Sequence, residues 1–210
     1  MLKRLFDIFV SLPLLVLLSP LILGIAVLIR VTMGPPVLFR QVRPGLHGKP
    51  FEILKFRTMT DARDLAGNPL PDSERLTRLG RFLRSTSLDE LPELLNVLKG
   101  DMSLVGPRPL LMKYMPYFTP RERIRFSVRP GMTGLAQVMG RNALTWDERL
   151  EFDVQYVENW SFKLDLKILW WTLVAVFRRS GVEVDPRSKM PDLDDERRRR
   201  WDKEGDVNGA

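Results

Sequence analysis

The chain has 210 residues, enough for one domain with a substantial core and an appendage. With no cysteine and a single histidine, His47, it excludes disulfides, thiolate metal sites, Cys–His dyads and multi-histidine zinc sites. Acid–base and nucleophilic chemistry falls to carboxylates, lysine, tyrosine or a bound metal ion, and a formal charge of +7 suits anionic partners: nucleic acid, acidic lipid or phosphorylated substrates.

Residues 5–29 form an apolar run with one charge, Asp7. A straight helix of that length spans a bilayer, which takes about 20 residues. The run is too long for a cleaved signal peptide, and no small-x-small site follows it. Pro20, however, lacks an N–H and its ring collides with the carbonyl of Val16, so the helix bends or breaks there. The Ser19 hydroxyl is placed to return one hydrogen bond to the freed carbonyls. The halves, 5–18 and 21–29, rise only roughly 21 and 14 Å, and neither crosses a hydrocarbon core of about 30 Å. Lys3 and Arg4 before the run and Arg30, Arg40 and Arg43 after it give both ends a cytoplasmic charge signature. The expectation for residues 1–30 is a re-entrant helix–break–helix anchor; a proline-kinked span is the alternative.

PPVLFRQVR and PFEILKFRTM flank the turn-rich PGLHGK and read as two short strands. SERLTRLGRFLRS carries Leu76, Leu79 and Leu83 at helical spacing and predicts one helix. In SLDELPELLNVLKGDMSLVGPRP, the acids Asp89 and Glu90 are adjacent and do not share a helix face. Ser87 and Glu90 have capping-box spacing. With Ser87 as cap, though, Pro92 would fall at the fifth helical position, so Asp89 is the better cap of a helix reaching Leu98. Capping alone would account for acids at the positive end of a helix. Thr119 and Glu122, and Thr145 and Glu148, repeat the spacing, and each pair is expected to open a helix. VRPGMTGLAQVMGRN between them reads as loop plus short strand. Residues 161–179 predict a strongly apolar helix, suited either to the core or to a membrane interface at Trp170 and Trp171. Residues 182–210 are expected to be a loosely attached polar tail, whose arginines 197–200 form a solvated patch or touch anionic lipid.

Several basic residues have constrained settings. Lys55 and Arg57 in KFRTM share a strand face. Arg84 precedes the acidic pair, and Arg108 is held between Pro107 and Pro109. Arg129 and Arg141 flank the glycine-rich loop, whose Gly131 and Gly134 would let backbone N–H groups approach an anion. Singly, each reads as a surface charge. Gathered around Asp89 and Glu90, they point to a diphosphate site with a metal ion, because neighbouring carboxylates commonly hold Mg²⁺ against phosphate oxygens.

KFRTM, RSTSLDELPELLNVLKGDMSLVGPRP and RPGMTGLAQVMGRN, behind a membrane segment with Ser19-Pro20, resemble the bacterial sugar transferase family, the monotopic phosphoglycosyl transferases. The resemblance runs from about Lys3 to Gly181, and with one membrane segment the chain is similar to the small, core-only members. It implies a mainly helical α+β catalytic domain, 31–181, with a short β-hairpin, on a re-entrant helix broken at Ser19 and Pro20. It implies transfer of a sugar-1-phosphate from a UDP-sugar to a polyprenol phosphate, undecaprenyl phosphate by expectation, as the first membrane step of glycoconjugate synthesis. Asp89 would be the nucleophile that carries a covalent phosphosugar and binds Mg²⁺. Glu90 would be its partner acid, shaping or deprotonating the acceptor phosphate. Arg108 and the loop residues Arg129, Gly131, Thr133 and Gly134 would contact the diphosphate and nucleotide, with Lys55, Arg57, Arg84 and Arg141 completing the substrate wall.

The implied setting is one anionic leaflet at the cytoplasmic face of the bacterial inner membrane. Downstream glycosyltransferases and a second copy of the chain are candidate partners, and nucleic acid is not expected. Two other readings compete. A membrane-tethered nucleic-acid-binding protein would fit the charge, but the chain lacks a recognition motif or an aromatic–basic platform. A non-catalytic membrane scaffold would use the same anchor and tolerate loss of both acids.

Overall fold

A computed structural model of the protein describes residues 2–140, 144–177 and 191–207. Two helices open the chain, α1 (Leu2–Leu17) and α2 (Ser19–Met33), bent by 61° at their junction. The hairpin β1 (Leu38–Pro44) and β2 (Pro50–Phe56) follows, antiparallel as expected. Then come α3 (Asp72–Arg75), α4 (Arg78–Ser85), a 3-10 turn Leu88–Glu90, α5 (Glu93–Lys99) and β3 (Ser103–Val105). After two further 3-10 stretches, Met112–Tyr117 and Glu122–Ser127, β4 (Gly131–Thr133) pairs in parallel with β3. Helices α6 (Leu135–Met139), α7 (Trp146–Glu158), α8 (Phe162–Phe177) and α9 (Leu193–Val207) follow, so that the described residues form a mainly helical fold with two small two-stranded sheets.

The break between α1 and α2 follows from proline chemistry. Ser19 Oγ donates to the Val16 carbonyl at 2.7 Å, the acceptor that Pro20 leaves without an amide partner. Among the described residues no single helix is long and apolar enough to cross a membrane, and the bent pair passes only when taken together. The polar side chains of α1 share one face and hold it to the rest of the fold. Lys3 Nζ pairs with Asp165 at 2.5 Å, Arg4 donates to the Val97 and Leu98 carbonyls that end α5, and Asp7 accepts from Ser103 Oγ and Leu104 N–H. The opposite face leaves Leu5, Phe9, Leu12 and Val16 exposed, and α2 likewise buries Ile25 and Ile29 while exposing Leu23 and Val27.

Three apolar clusters position the site. One joins α1, α5, β3 and α8 through Val97, Met102, Val105 and Ile168; a second packs α2, β2 and α4 through Ile29, Phe56 and Leu83. The third gathers Tyr114, Phe118, Trp146, Leu150 and Leu193 under α7 and α9. On α8, Ile168 is buried while Trp170, Trp171 and Leu173 are exposed, so this helix has both a core face and an apolar outer face.

Several expectations are corrected. The helix expected around Leu76, Leu79 and Leu83 is two helices. Thr77 Oγ1 accepts from Gly80 N–H at 2.9 Å and starts α4 afresh. A Cβ on Gly80 would lie 1.9 Å from the Thr58 carbonyl, so α4 packs directly on the chain after β2. Neither the Ser87–Glu90 box nor the Asp89 cap forms, because Ser87 adopts a left-handed φ of 58° and Pro92 is the residue preceding α5. The Thr119–Glu122 box does make both its hydrogen bonds, at 2.7 and 3.2 Å, but opens a 3-10 stretch. The Thr145–Glu148 box opens α7 as expected. The glycine-rich stretch holds the expected strand and the unexpected α6.

The tail is the largest correction. Residues 182–190 lie outside the described residues, but α9 is docked rather than loose. Leu193 is fully buried, Lys113 pairs with Asp192 and Asp194 at 2.6 and 3.0 Å, and Arg197 pairs with Glu122 and Asp147 at 2.6 and 2.8 Å. Arg198 donates to the Tyr117 hydroxyl and Arg200 pairs with Asp147, so these arginines bind within the chain. Charge complementarity to the 3-10 stretches holds this helix, and its composition alone resembles a solvated segment.

Candidate active site

The site is built where close backbone packing is possible. A Cβ on Gly131 would sit 2.1 Å from Gly106 N, and one on Gly134 2.3 Å from Gly106 O, so these glycines let the GPRP turn lie against β4. Gly131 N–H donates to the Pro107 carbonyl at 3.0 Å and Gly106 N–H to the Thr133 carbonyl at 2.9 Å. The expected anion cradle at Gly131 is therefore replaced by strand pairing that fixes Arg108. Arg129 is not at the cavity: its Nε donates to the Gly100 carbonyl at 2.8 Å. Thr133 does line the cavity, its hydroxyl bonded to Thr172 at 2.7 Å. Arg141 lies outside the described residues.

The cavity has a volume of about 1290 Å³ and runs from Leu14 and Leu18, beside the helix break, past the hairpin to α7. Among the described residues, nine Lys and Arg line it against five Asp and Glu, a balance that favours anionic ligands. On one wall, Asn96 of α5 accepts from Leu54 N–H at 3.0 Å and donates to the Glu52 carbonyl at 2.7 Å. Those bonds pin α5 to β2 and set Lys55 beside the acids.

The two adjacent acids have opposite environments. Glu90 Oε1 accepts from Lys55 Nζ and from Arg108 Nη2, each at 2.6 Å. Burial would raise its pKa, but Arg108 and Lys55 outweigh burial and hold it down at about 2. Asp89 is 9% exposed, faces the cavity and takes no hydrogen bond from any described residue. Burial, reinforced by the Glu90 charge, pushes its carboxyl up to about 6, against the pull of Lys55, Arg108 and Arg84. The left-handed turn at Ser87, which costs on the order of 1 kcal/mol for a non-glycine residue, is what swings Asp89 to this position.

Arg84 lines the cavity with its Nε on Thr58 Oγ1 at 3.0 Å. Arg108 remains 41% exposed at the rim, and Glu90 raises its pKa. Arg57 borders the cavity too, but its guanidinium donates to the Pro35 and Met59 carbonyls at 2.9 Å and pairs with Asp61 at 2.6 Å. It closes the exit from α2 and does not present donors to a ligand.

Five residues were missed in the sequence. Glu93 is buried 3.1 Å from Lys55 Nζ, within ion-pair distance but outside hydrogen-bond geometry, and burial followed by the Glu90 charge pushes it up to about 7. Its spacing of three from Glu90 was the available signal. The pair Arg125 and Asp153, 2.7 Å apart and almost wholly buried, also holds the Arg108 carbonyl through Arg125 Nη2 at 2.6 Å. Arg43 and Arg149 line the same cavity.

No cluster of three or more acidic, histidine or cysteine ligands exists among the described residues. Glu90 and Glu93 are committed to Lys55 and Arg108, which leaves Asp89 as the carboxylate able to ligate. One carboxylate fits a Mg²⁺ ion that takes its remaining ligands from substrate phosphates and water.

The family model described as bacterial sugar transferase matches residues 1–179. EpsL of Bacillus subtilis (strain 168), named as an uncharacterized sugar transferase, is 57% identical over 182 residues, 87% of this chain and 90% of its own. A UDP-glucose:undecaprenyl-phosphate glucose-1-phosphate transferase of Caulobacter vibrioides is 45% identical over 185 residues, 83% of this chain and 69% of its own. An undecaprenyl-phosphate galactose phosphotransferase of Salmonella typhimurium is 43% identical over 198 residues, 86% of this chain but only 41% of the longer relative.

Proposed function

The chain belongs to the bacterial sugar transferase family, and from that premise we propose that it is an enzyme moving a sugar-1-phosphate from a UDP-sugar to a polyprenol phosphate, with release of UMP. The relatives' names supply the substrate class, undecaprenyl phosphate as acceptor and a UDP-sugar as donor. The observation that carries the mechanism is Asp89: a buried carboxylate that takes no hydrogen bond from any described residue, facing a cationic cavity.

In the proposed reaction an Asp89 oxygen attacks the phosphorus that bears the sugar. The bond from that phosphorus to the bridging oxygen breaks, and its electron pair leaves with UMP. A phosphate oxygen of the acceptor then attacks the same phosphorus, the bond to Asp89 breaks, and the carboxylate is restored. Both nucleophiles are already anionic, so no proton has to move. Mg²⁺ at Asp89 would neutralise diphosphate charge that otherwise repels a carboxylate. Lys55, Arg84 and Arg108 supply fixed positive charge for the same purpose. Glu90, held near 2, is a weak base; its bonds to Lys55 and Arg108 favour a positioning role over deprotonation of the acceptor.

The bent pair α1 and α2 and the outer face of α8 support a monotopic, re-entrant anchor in the cytoplasmic leaflet. The cavity then opens beside that anchor at Leu14 and Leu18, where an acceptor held by its lipid tail would arrive. The test is UMP release from a panel of UDP-sugars by the full chain in vesicles carrying undecaprenyl phosphate. Acceptor-dependent UMP release from at least one donor is expected; none from any donor would overturn the reading.

A further inference from the structure

The GPRP turn that carries Arg108 cannot fix itself. Pro107 and Pro109 have no N–H, so two of its three central positions offer no amide to hold the turn. It is held from outside, through its carbonyls. Gly131 N–H donates to the Pro107 carbonyl at 3.0 Å and Arg125 Nη2 to the Arg108 carbonyl at 2.6 Å, while Arg43 Nη1 reaches the Pro109 carbonyl only at 3.4 Å. Arg125 thus makes the shortest of the three contacts, on the residue whose side chain clamps Glu90.

Arg125 is itself fixed from several sides. Its Nε and Nη2 both donate to Asp153 Oδ2 on α7, at 3.1 and 2.7 Å. Its guanidinium also lies over the rings of Phe118 and Phe126, at 5.5 and 5.4 Å. Arg125 and Asp153 border the cavity but are only 3% and 2% exposed, too enclosed to be a ligand's main contacts. A buried ion pair is seldom more stabilising than apolar residues of the same size. What this pair supplies is a fixed donor aimed at the Arg108 backbone. We propose that Arg125 and Asp153 are a positioning pair that aims the Arg108 guanidinium at the donor's diphosphate. The inference rests on the proposed reaction, in which Arg108 faces that diphosphate. It adds two residues that act on the substrate only through a third.

The test is a mutant cycle read by calorimetric titration of UDP, a diphosphate probe, into the full chain in nanodiscs with Mg²⁺. Arg125→Leu combined with Asp153→Leu replaces the pair by apolar side chains and should keep the melting temperature. Arg125→Lys keeps the charge but ends one bond short of the Arg108 carbonyl. Each should weaken UDP by about tenfold, the scale of one hydrogen bond to a charged group. On an Arg108→Ala background, itself about tenfold weaker, each should cost less than about twofold, because residues that act through one partner are not additive. A merely structural role would cost the same with and without Arg108. Equal losses in the two backgrounds, unchanged affinity in both variants, or no UDP binding by the unmutated chain would overturn the assignment. Should the leucine pair fail to fold, Arg125→Lys decides by the same comparison. Turnover of UDP-sugars on the same samples separates the two claims. Normal turnover with additive losses sinks the positioning pair alone, whereas losses confined to the Arg108 background without any turnover sink only the proposed reaction.

Discussion

Asp89 and Glu90 are neighbours with nearly the same chemistry, and their surroundings divide them. Two cations clamp Glu90 and keep it ionised at any physiological pH, whereas Asp89 is ionised against the resistance of its own burial. That resistance has a measurable sign. A carboxyl raised from 3.8 to about 6 on folding stabilises the fold fully below the ordinary value and loses that contribution as pH rises through 6. Asp89→Asn should therefore be more stable than the unmutated chain at pH 7.5, by on the order of 2 kcal/mol, with the gap closing toward pH 4. Thermal melts across that range check it, and equal stability at pH 7.5 would mean Asp89 is not strained in this way. The acidic pair was legible because it sits in a long ordered motif. Glu93, Arg43, Arg149 and the Arg125–Asp153 pair were not, because folding alone brings residues so distant in sequence to one cavity.

Among the elements, the bend between α1 and α2 was readable because its cause is local. Pro20 removes one amide, Ser19 answers the freed Val16 carbonyl, and both facts lie within five residues. Ser19→Ala with Pro20→Ala should restore a straight helix long enough to span. A cysteine placed at the N-terminus should then become reachable, in some molecules, to an impermeant thiol reagent applied from the periplasmic side. Such labelling in the unmutated chain would refute re-entry. Helix α9 was unreadable for the converse reason, since its partners lie some 50 to 80 residues earlier and its own pattern is nearly all charge. Its fully buried apolar residue is Leu193. Leu193→Ala should cost about 2–5 kcal/mol, the range for truncating a buried leucine, read as a lowered midpoint in urea unfolding. A change under 0.5 kcal/mol would mean that α9 is not docked in solution.

At the scale of the whole molecule, three helices with exposed apolar residues accompany a cationic cavity. Leucines, valines and tryptophans on α1, α2 and α8 are exposed, while the cationic cavity joins the helix break to the polar elements around α7. Such a layout suits a reaction whose donor is soluble and whose acceptor is a lipid. A covalent intermediate lets the two use one phosphate-sized position in turn, so the second substrate need not enter while the first is bound. It also makes the central claim directly observable. Full-length protein incubated with its UDP-sugar and no acceptor, then analysed by intact-protein and peptide mass spectrometry, should gain the mass of one sugar phosphate on Asp89. Polyprenol phosphate should discharge that adduct, and Asp89→Asn should never acquire it. UMP release and product formation proceeding normally in Asp89→Asn, or an adduct mapped to Glu90 in place of Asp89, would contradict the mechanism.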